Sequence, residues 1–176
     1  ISQTLREGAK EKGKLGRVEG DVDKALGSAA KVIEAEYEVP YMSHSPMEPM
    51  NCTASVTSDF CEVWAPTQGP GPGQIVSSMI TGLPMEKVKI HVTYLGGGFG
   101  RRVEVDYIEQ AVEASMKLKR PIKLIWSREE DTQHGLNRPT YFAKMSAGID
   151  NKGNVTAFRH KVVGPGIWLS PYRTTR

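Results

Sequence analysis

Apolar and polar positions along the 176-residue chain change period several times, and each change predicts an element. Residues 32–39 alternate apolar with acidic side chains, the pattern of a strand with one wet face, and Pro40 ends it. Before that strand, Asp21 is placed to cap a short helix carrying Ala25, Leu26, Ala29 and Ala30. Residues 41–50 hold Pro46, Pro49 and three methionines, so they read as a loop. Residues 51–57 and 60–65 read as a hairpin around Thr57-Ser58-Asp59. Mirrored about Ser58, Cys52 falls opposite Trp64, and Cys61 opposite Ser55.

The next helix shows Ile75, Val76, Met79 and Ile80 on one face, with Gly82 as a stop and Pro84 beyond. Residues 88–94 form a strand pattern. Residues 104–119 carry the strongest helical signal, with Val105, Ile108, Val112 and Met116 on one face and Ala111 and Leu118 beside it. Glu104 and Asp106 open that helix and Lys117, Lys119 and Arg120 close it, matching the helix dipole. Pro121 starts a strand through Ile122, Leu124 and Trp126, and the polar residues 127–139 read as a loop. Tyr141, Ala143, Met145, Ala147 and Ile149 alternate as one strand face. Asp150-Asn151-Lys152-Gly153 turns the chain, residues 155–163 return, and the tail from Gly164 is basic and broken by Gly and Pro. The implied fold class is α+β: a mixed sheet with hairpins and two or three packed helices, without strict βαβ alternation.

Composition narrows the picture without redirecting it. A hydrophobic fraction of 39% and a charged fraction of 24% are those of an ordinary globular protein, and a net charge of +3 is too small to argue for nucleic acid. The first twenty residues carry five Lys/Arg, three acids and four glycines. Residues 1–20 are therefore expected to be a loosely ordered segment, and residues 21–176 a partial domain. The chain begins with Ile1 and ends at Arg176 just after an apolar stretch, as a piece of a longer protein would. No apolar run approaches the roughly 18 residues of a membrane span. Cys52 and Cys61 have neither the number nor the spacing of a metal cage, and read as two reduced core thiols.

The densest chemical signal is Leu95-Gly96-Gly97-Gly98-Phe99-Gly100-Arg101-Arg102. Glycine costs backbone entropy, so such a cluster suits a bend with positive φ or a backbone that a ligand approaches closely. Bare amides beside guanidinium groups suit an anionic, phosphate-bearing cofactor. Neither the dinucleotide fingerprint nor the P-loop fits these glycines. From local composition the stretch reads either as a cofactor loop or as a tight strand-to-helix connection with no ligand.

Two further motifs precede it in order: His44-Ser45-Pro46-Met47-Glu48-Pro49, then Trp64-Ala65-Pro66-Thr67-Gln68. Together with Gly96-Gly97-Gly98-Phe99-Gly100, over residues 21–164, they resemble the molybdopterin-binding large subunit of the xanthine dehydrogenase and aldehyde oxidase family. The resemblance is strongest to the isoquinoline 1-oxidoreductase beta-subunit branch. It implies a molybdenum cofactor-binding domain within an enzyme that oxidises an aldehyde or an N-heterocycle, with water as oxygen source. It implies a molybdopterin-type cofactor in its cytosine dinucleotide form and an iron–sulfur small subunit as partner. It places Gln68 beside the molybdenum as the residue that orients the metal's ligands. It places Gly97, Gly98, Phe99 and Gly100 against the cofactor, with Arg101 a contact to its phosphate end. The protein supplies no metal ligand in this family.

Where xanthine dehydrogenases continue with Gly-Lys-Glu, this chain reads Arg101-Arg102-Val103, which argues against purine as substrate. The family's general base, a glutamate in a later segment, lies outside this chain, so residues 1–176 alone are expected to be inactive. His44 and Glu48 read either as neighbours of the cofactor or as a hydrogen-bonded pair pinning their loop. Methionines 42, 47 and 50 read as core filling, His91 as a structural histidine, and Arg128-Glu129-Glu130-Asp131 as a solvated or packing loop. The competing function is a non-catalytic binding or structural module that keeps the glycine loop as a turn. A nucleotide-binding enzyme stands third.

Overall fold

The computed structural model describes residues 1–166; the end of the basic tail lies outside the described residues. The chain divides into two compact units, one of residues 43–137 and one of residues 1–42 with those from 138 onward.

In the second of these, β1 (Lys31–Val39), β6 (Tyr141–Ile149) and β7 (Val155–Val163) form an antiparallel sheet in the order β1-β6-β7. Helices α1 (Ser2–Gly8) and α2 (Val22–Gly27) pack on this sheet. The Asp21 carboxylate caps α2 by accepting from the Lys24 amide at 3.0 Å. Arg6 of α1 pairs with Glu36 and Glu38 and lies over the Phe142 ring. The alternation of β1 does not separate a wet face from a dry one: Glu36 and Glu38 pair with Arg6, Glu34 accepts from the Ser146 hydroxyl, and Ile33, Tyr37 and Val39 on its other face are also exposed. Asp150 accepts from the amides of Lys152 and Asn154 and closes the β6–β7 turn, with Gly153 at φ 84°.

Residues 43–137 carry the larger core. Four strands run in the order β4-β3-β2-β5, where β2 is Asn51–Val56, β3 Cys61–Ala65, β4 Val88–Val92 and β5 Ile122–Ile125. Only β3 and β4 are parallel, because α3 (Pro70–Thr81) carries the chain across between them. One face of this sheet packs against α4 (Asp106–Leu118), burying Cys52, Ala54, Cys61, Val63, Ile108 and Val112. Full burial of Ile108 or Val112 contributes about 1.5–3 kcal/mol each. Mixed strands with helices packed on one side make this α+β, as the pattern predicts.

Several expectations shift. The hairpin pairs Val56 with Cys61 and Thr53 with Trp64, one residue away from the mirror about Ser58. The Thr57 amide donates to the Phe60 carbonyl at 2.9 Å, closing a two-residue loop of Ser58 and Asp59. That register keeps Cys61, Val63 and Ala65 on the same face as Cys52 and Ala54; a one-residue slip would turn one strand's apolar set outward. Both cysteines are free and buried, as expected.

On α3 the buried positions are Gly73 and Ser77, with Val76 and Ile80 partly buried, while Ile75 and Met79 are exposed. A Cβ on Gly73 would stand 3.2 Å from the Ile108 side chain, so the missing side chain lets α3 approach α4. On α4 the buried set is Tyr107, Ile108, Ala111, Val112 and Ser115, and Met116 and Leu118 lie at the surface. Residues 128–134, expected as loop, form helix α5 (Arg128–His134). Ser127 caps it by accepting from the Glu130 amide at 3.1 Å, a signal present in the Ser-x-x-Glu spacing. Of the three methionines only Met50 fills the core; Met47 and Met42 are exposed.

Candidate functional site

Three loops of the 43–137 unit converge, and each carries one of the sequence motifs. The first leaves β3. Pro66 and Thr67 are buried and Gln68 emerges into solvent. The Pro66 carbonyl accepts from the Tyr107 hydroxyl at 3.2 Å, and burial pushes the Tyr107 pKa up, keeping that donor protonated. The Thr67 hydroxyl donates to the Arg102 carbonyl at 3.0 Å and accepts from the Gly69 amide, and the Gln68 amide donates to the same Arg102 carbonyl at 2.9 Å. Gln68 is thus aimed by a rigid strand end.

The second loop is the glycine stretch. Gly97, Phe99 and Gly100 have φ of 96°, 54° and 92°. For Phe99 the left-handed conformation costs about 1–2 kcal/mol. Its ring is 69% exposed. The Gly100 amide donates to Gln68 Oε1 at 3.1 Å. A Cβ on Gly98 would lie 2.6 Å from the same Oε1, so the carboxamide rests against the bare Cα of Gly98. Because Oε1 accepts from Gly100, the carboxamide presents Nε2, a donor, on its other side.

The third loop holds His44 and Glu48. His44 Nδ1 bonds the Leu136 carbonyl at 3.0 Å. Glu48 accepts from the Gly96 amide at 2.8 Å, from Arg102 at 2.9 Å and from Asn51 at 2.8 Å. A Cβ on Gly96 would meet the Glu48 side chain, so that glycine too is fixed by a close approach. Glu48 therefore braces the glycine loop.

The structure brings Gln68, Gly97, Gly98, Phe99 and Gly100 together and places Arg101 elsewhere. Arg101 is buried, both its terminal nitrogens bond Asp106 at 2.8–2.9 Å, and its guanidinium lies 5.4 Å from the Trp126 ring centre. Its terminal nitrogens are held by Asp106, while its buried Nε has no hydrogen-bond partner among the described residues. Residues that sequence reasoning passed over are Arg102, wholly buried among the three loops, and Arg128, whose guanidinium bonds the Met47 carbonyl at 3.0 Å, the Pro46 carbonyl at 2.5 Å and Asp131 at 2.8 Å. An arginine next to glycines reads as exposed, and nothing local marks it as buried. His91 is the structural histidine expected, bonded to Glu62 at 3.1 Å and stacked on Trp64.

The donor set is the deciding chemistry. Among the described residues the amides of Gly97, Gly98 and Phe99 have no hydrogen-bond partner, and Gln68 Nε2 adds a donor beside Gly98. Such a cluster of donors fits the oxygen atoms of an anionic ligand. Among the described residues no group of three or more His, Cys, Asp or Glu could hold a metal ion. A sequence profile of the molybdopterin cofactor-binding domain matches residues 7–174. The chain belongs to that family.

Individual relatives agree. This molybdopterin cofactor-binding chain is 30% identical over 137 residues to isoquinoline 1-oxidoreductase subunit beta of Brevundimonas diminuta, covering 77% of this chain and 17% of that protein. It is 31% identical over 144 residues to the molybdenum-binding subunit of an Escherichia coli aldehyde oxidoreductase, covering 81% and 20%. The structure is similar to part of the aldehyde oxidoreductase of Desulfovibrio gigas, with a TM-score of 0.73 at 19% identity over 82% of this chain and 16% of that one. The chain spans a fifth or less of the length of these proteins. The residues present fit the family's cofactor: the glycine loop offers backbone donors where a side chain would block approach, and Gln68 adds one more. No helix among the described residues is long and apolar enough to cross a membrane.

Proposed function

We propose that the chain is part of the large subunit of a molybdenum hydroxylase that oxidises an aldehyde or an N-heterocycle with water as oxygen source. The observation that carries this reading is the contact between Gln68 Oε1 and the Gly100 amide, which holds the carboxamide against the glycine loop and leaves its Nε2 as a donor. When bound, the molybdenum cofactor supplies the two-electron redox chemistry. Gln68 Nε2 and the amides of Gly97, Gly98 and Phe99 would hold its oxygen atoms. These donors are preorganised by the fold, so they would need no rearrangement when a ligand's negative charge arrives. Arg101 is paired with Asp106 at the start of α4. Residues 21–176 contribute part of the cofactor-binding domain, and the general base lies in another segment. The cofactor is in its cytosine dinucleotide form, and electrons leave through iron–sulfur clusters on a partner subunit. Relatives named as beta and large subunits support a multi-subunit assembly.

Elemental analysis tests the reading. Full-length protein from a cofactor-competent host is expected to carry molybdenum, and Gln68→Ala and Gly98→Val to lose most of it. Wild-type protein without molybdenum overturns the proposal in favour of a non-catalytic module.

A further inference from the structure

Arg102 is wholly buried at the site, with a relative exposure of 0%. Burying a guanidinium is costly unless its donors are met. Here Nε donates to the Gly97 carbonyl at 2.7 Å, and Nη2 to the Glu48 carbonyl at 2.6 Å and to Glu48 Oε2 at 2.9 Å. Nη1 reaches the Pro66 carbonyl at 3.4 Å. The main-chain carbonyl of Arg102 receives the Gln68 amide and the Thr67 hydroxyl. One residue thus ties together the Glu48 loop, the Gln68 loop and the glycine loop. Its acceptors are loop carbonyls and a carboxylate, none of them in the apolar core.

The consequence follows from peptide geometry. In a trans peptide the C=O and the following N–H point in opposite directions. Arg102 Nε draws the Gly97 carbonyl inward, so the Gly98 N–H points away from Arg102. The Arg101 amide draws in the Gly98 carbonyl at 2.8 Å, so the Phe99 N–H turns outward as well. Two successive outward amides next to positive-φ residues make an anion-binding concavity. Gly97 and Gly98 lack the Cβ atoms that restrict rotation of the peptide between them, and the Arg102 Nε donor at Gly97 O opposes that rotation.

We infer that Arg102 is a positioning residue that locks the Gly97–Gly98 peptide plane, and with it the orientation of the donor surface facing the ligand. This rests on the cofactor reading above. A lysine brings one compact ammonium and cannot serve all four acceptors in the geometry of a planar fork.

The test uses full-length protein with Arg102→Met, Arg102→Lys and, as a core control of comparable thermal loss, Val63→Ala. Amide hydrogen exchange over residues 95–101 and molybdenum content are read side by side. Arg102→Met is expected to speed exchange at the hydrogen-bonded amides of that peptide, Gly96, Gly100 and Arg101, by about tenfold or more as the loop loosens, and to lose most molybdenum. Arg102→Lys is expected to fall between Met and wild type on both readouts, and Val63→Ala to leave the 95–101 peptide at the wild-type rate. Native exchange in Arg102→Met overturns the inference, and so does equal acceleration of that peptide in Val63→Ala. If Arg102→Met does not accumulate, Arg102→Lys decides: acceleration confined to residues 95–101 supports the lock and a native rate removes it. Exchange is read on protein with or without metal. Molybdenum-free wild type with a locked loop therefore sinks the cofactor reading alone.

Discussion

Gln68 and Gly98 meet with no room for one more carbon. The carboxamide oxygen of Gln68 lies 2.6 Å from where a Gly98 Cβ would stand, and it accepts from the Gly100 amide two residues on. This contact orients the carboxamide and explains the absence of a side chain at position 98.

Gly98→Ala is therefore expected to displace the Gln68 side chain, which is exposed and free to swing into solvent. Stability changes by about 1 kcal/mol or less, while molybdenum content falls about as far as in Gly98→Val. A urea melt beside an elemental assay separates the two effects; retained molybdenum refutes the prediction.

Gln68→Glu isolates the donor. A carboxylate still accepts from Gly100 but has no Nε2 to offer. The expected outcome is an unchanged melting temperature and at least about a tenfold loss of bound molybdenum, the factor for a single charge-assisted hydrogen bond.

Phe99→Gly relieves the left-handed backbone at φ 54°. The strain of about 1–2 kcal/mol outweighs the extra entropy of an unfolded glycine, about 0.5–1 kcal/mol. The ring is mostly exposed, so little packing is lost. Thermal unfolding is expected at or slightly above the wild-type temperature; a drop of several degrees contradicts the strain account.

Glu48→Ala leaves Arg102 buried without its carboxylate. The glutamate is one-third exposed and the arginine not at all. The expected loss is about 2–4 kcal/mol, and Glu48→Gln, which keeps an acceptor and a packing volume, loses less. Chemical denaturation of both variants measures the difference.

Burial pushes the Cys52 pKa up to about 12 and that of Cys61 up to about 11, from 9.0. The unfolded chain gives up these protons near pH 9 while the folded chain keeps them. Stability from the two thiols is thus complete below pH 9 and is lost as pH rises toward 11 and 12. Each contributes a slope of about 1.4 kcal/mol per pH unit across that window. Wild-type protein is expected to lose stability between pH 8.5 and 10.5 more steeply than Cys52→Ala, read by denaturant melts at each pH.

Much of the fold was legible because it is local. The Asp21 cap, the Gly82 stop at φ 73° and the Asp150–Gly153 turn are written in residues a few positions apart. What failed was non-local. The face of α3 depends on Gly73 meeting Ile108, and the hairpin register depends on a two-residue loop that keeps five apolar side chains on one face. α5 is the exception, since the Ser127-to-Glu130 spacing announced it.

The sequence by itself determined the kind of site: a side-chain-free bend, a carboxamide and their order along the chain name the donors available and the family that uses them. Only the tertiary structure decided which neighbours serve them. Arg101 and Arg102 are adjacent and chemically identical, yet one turns to Asp106 and the other to Gly97 and Glu48. A guanidinium's role is set by the acceptors within its reach: Asp106 and Gly97 lie five residues away, but Glu48 and Pro66 come from distant segments that only the packed unit brings to Arg102.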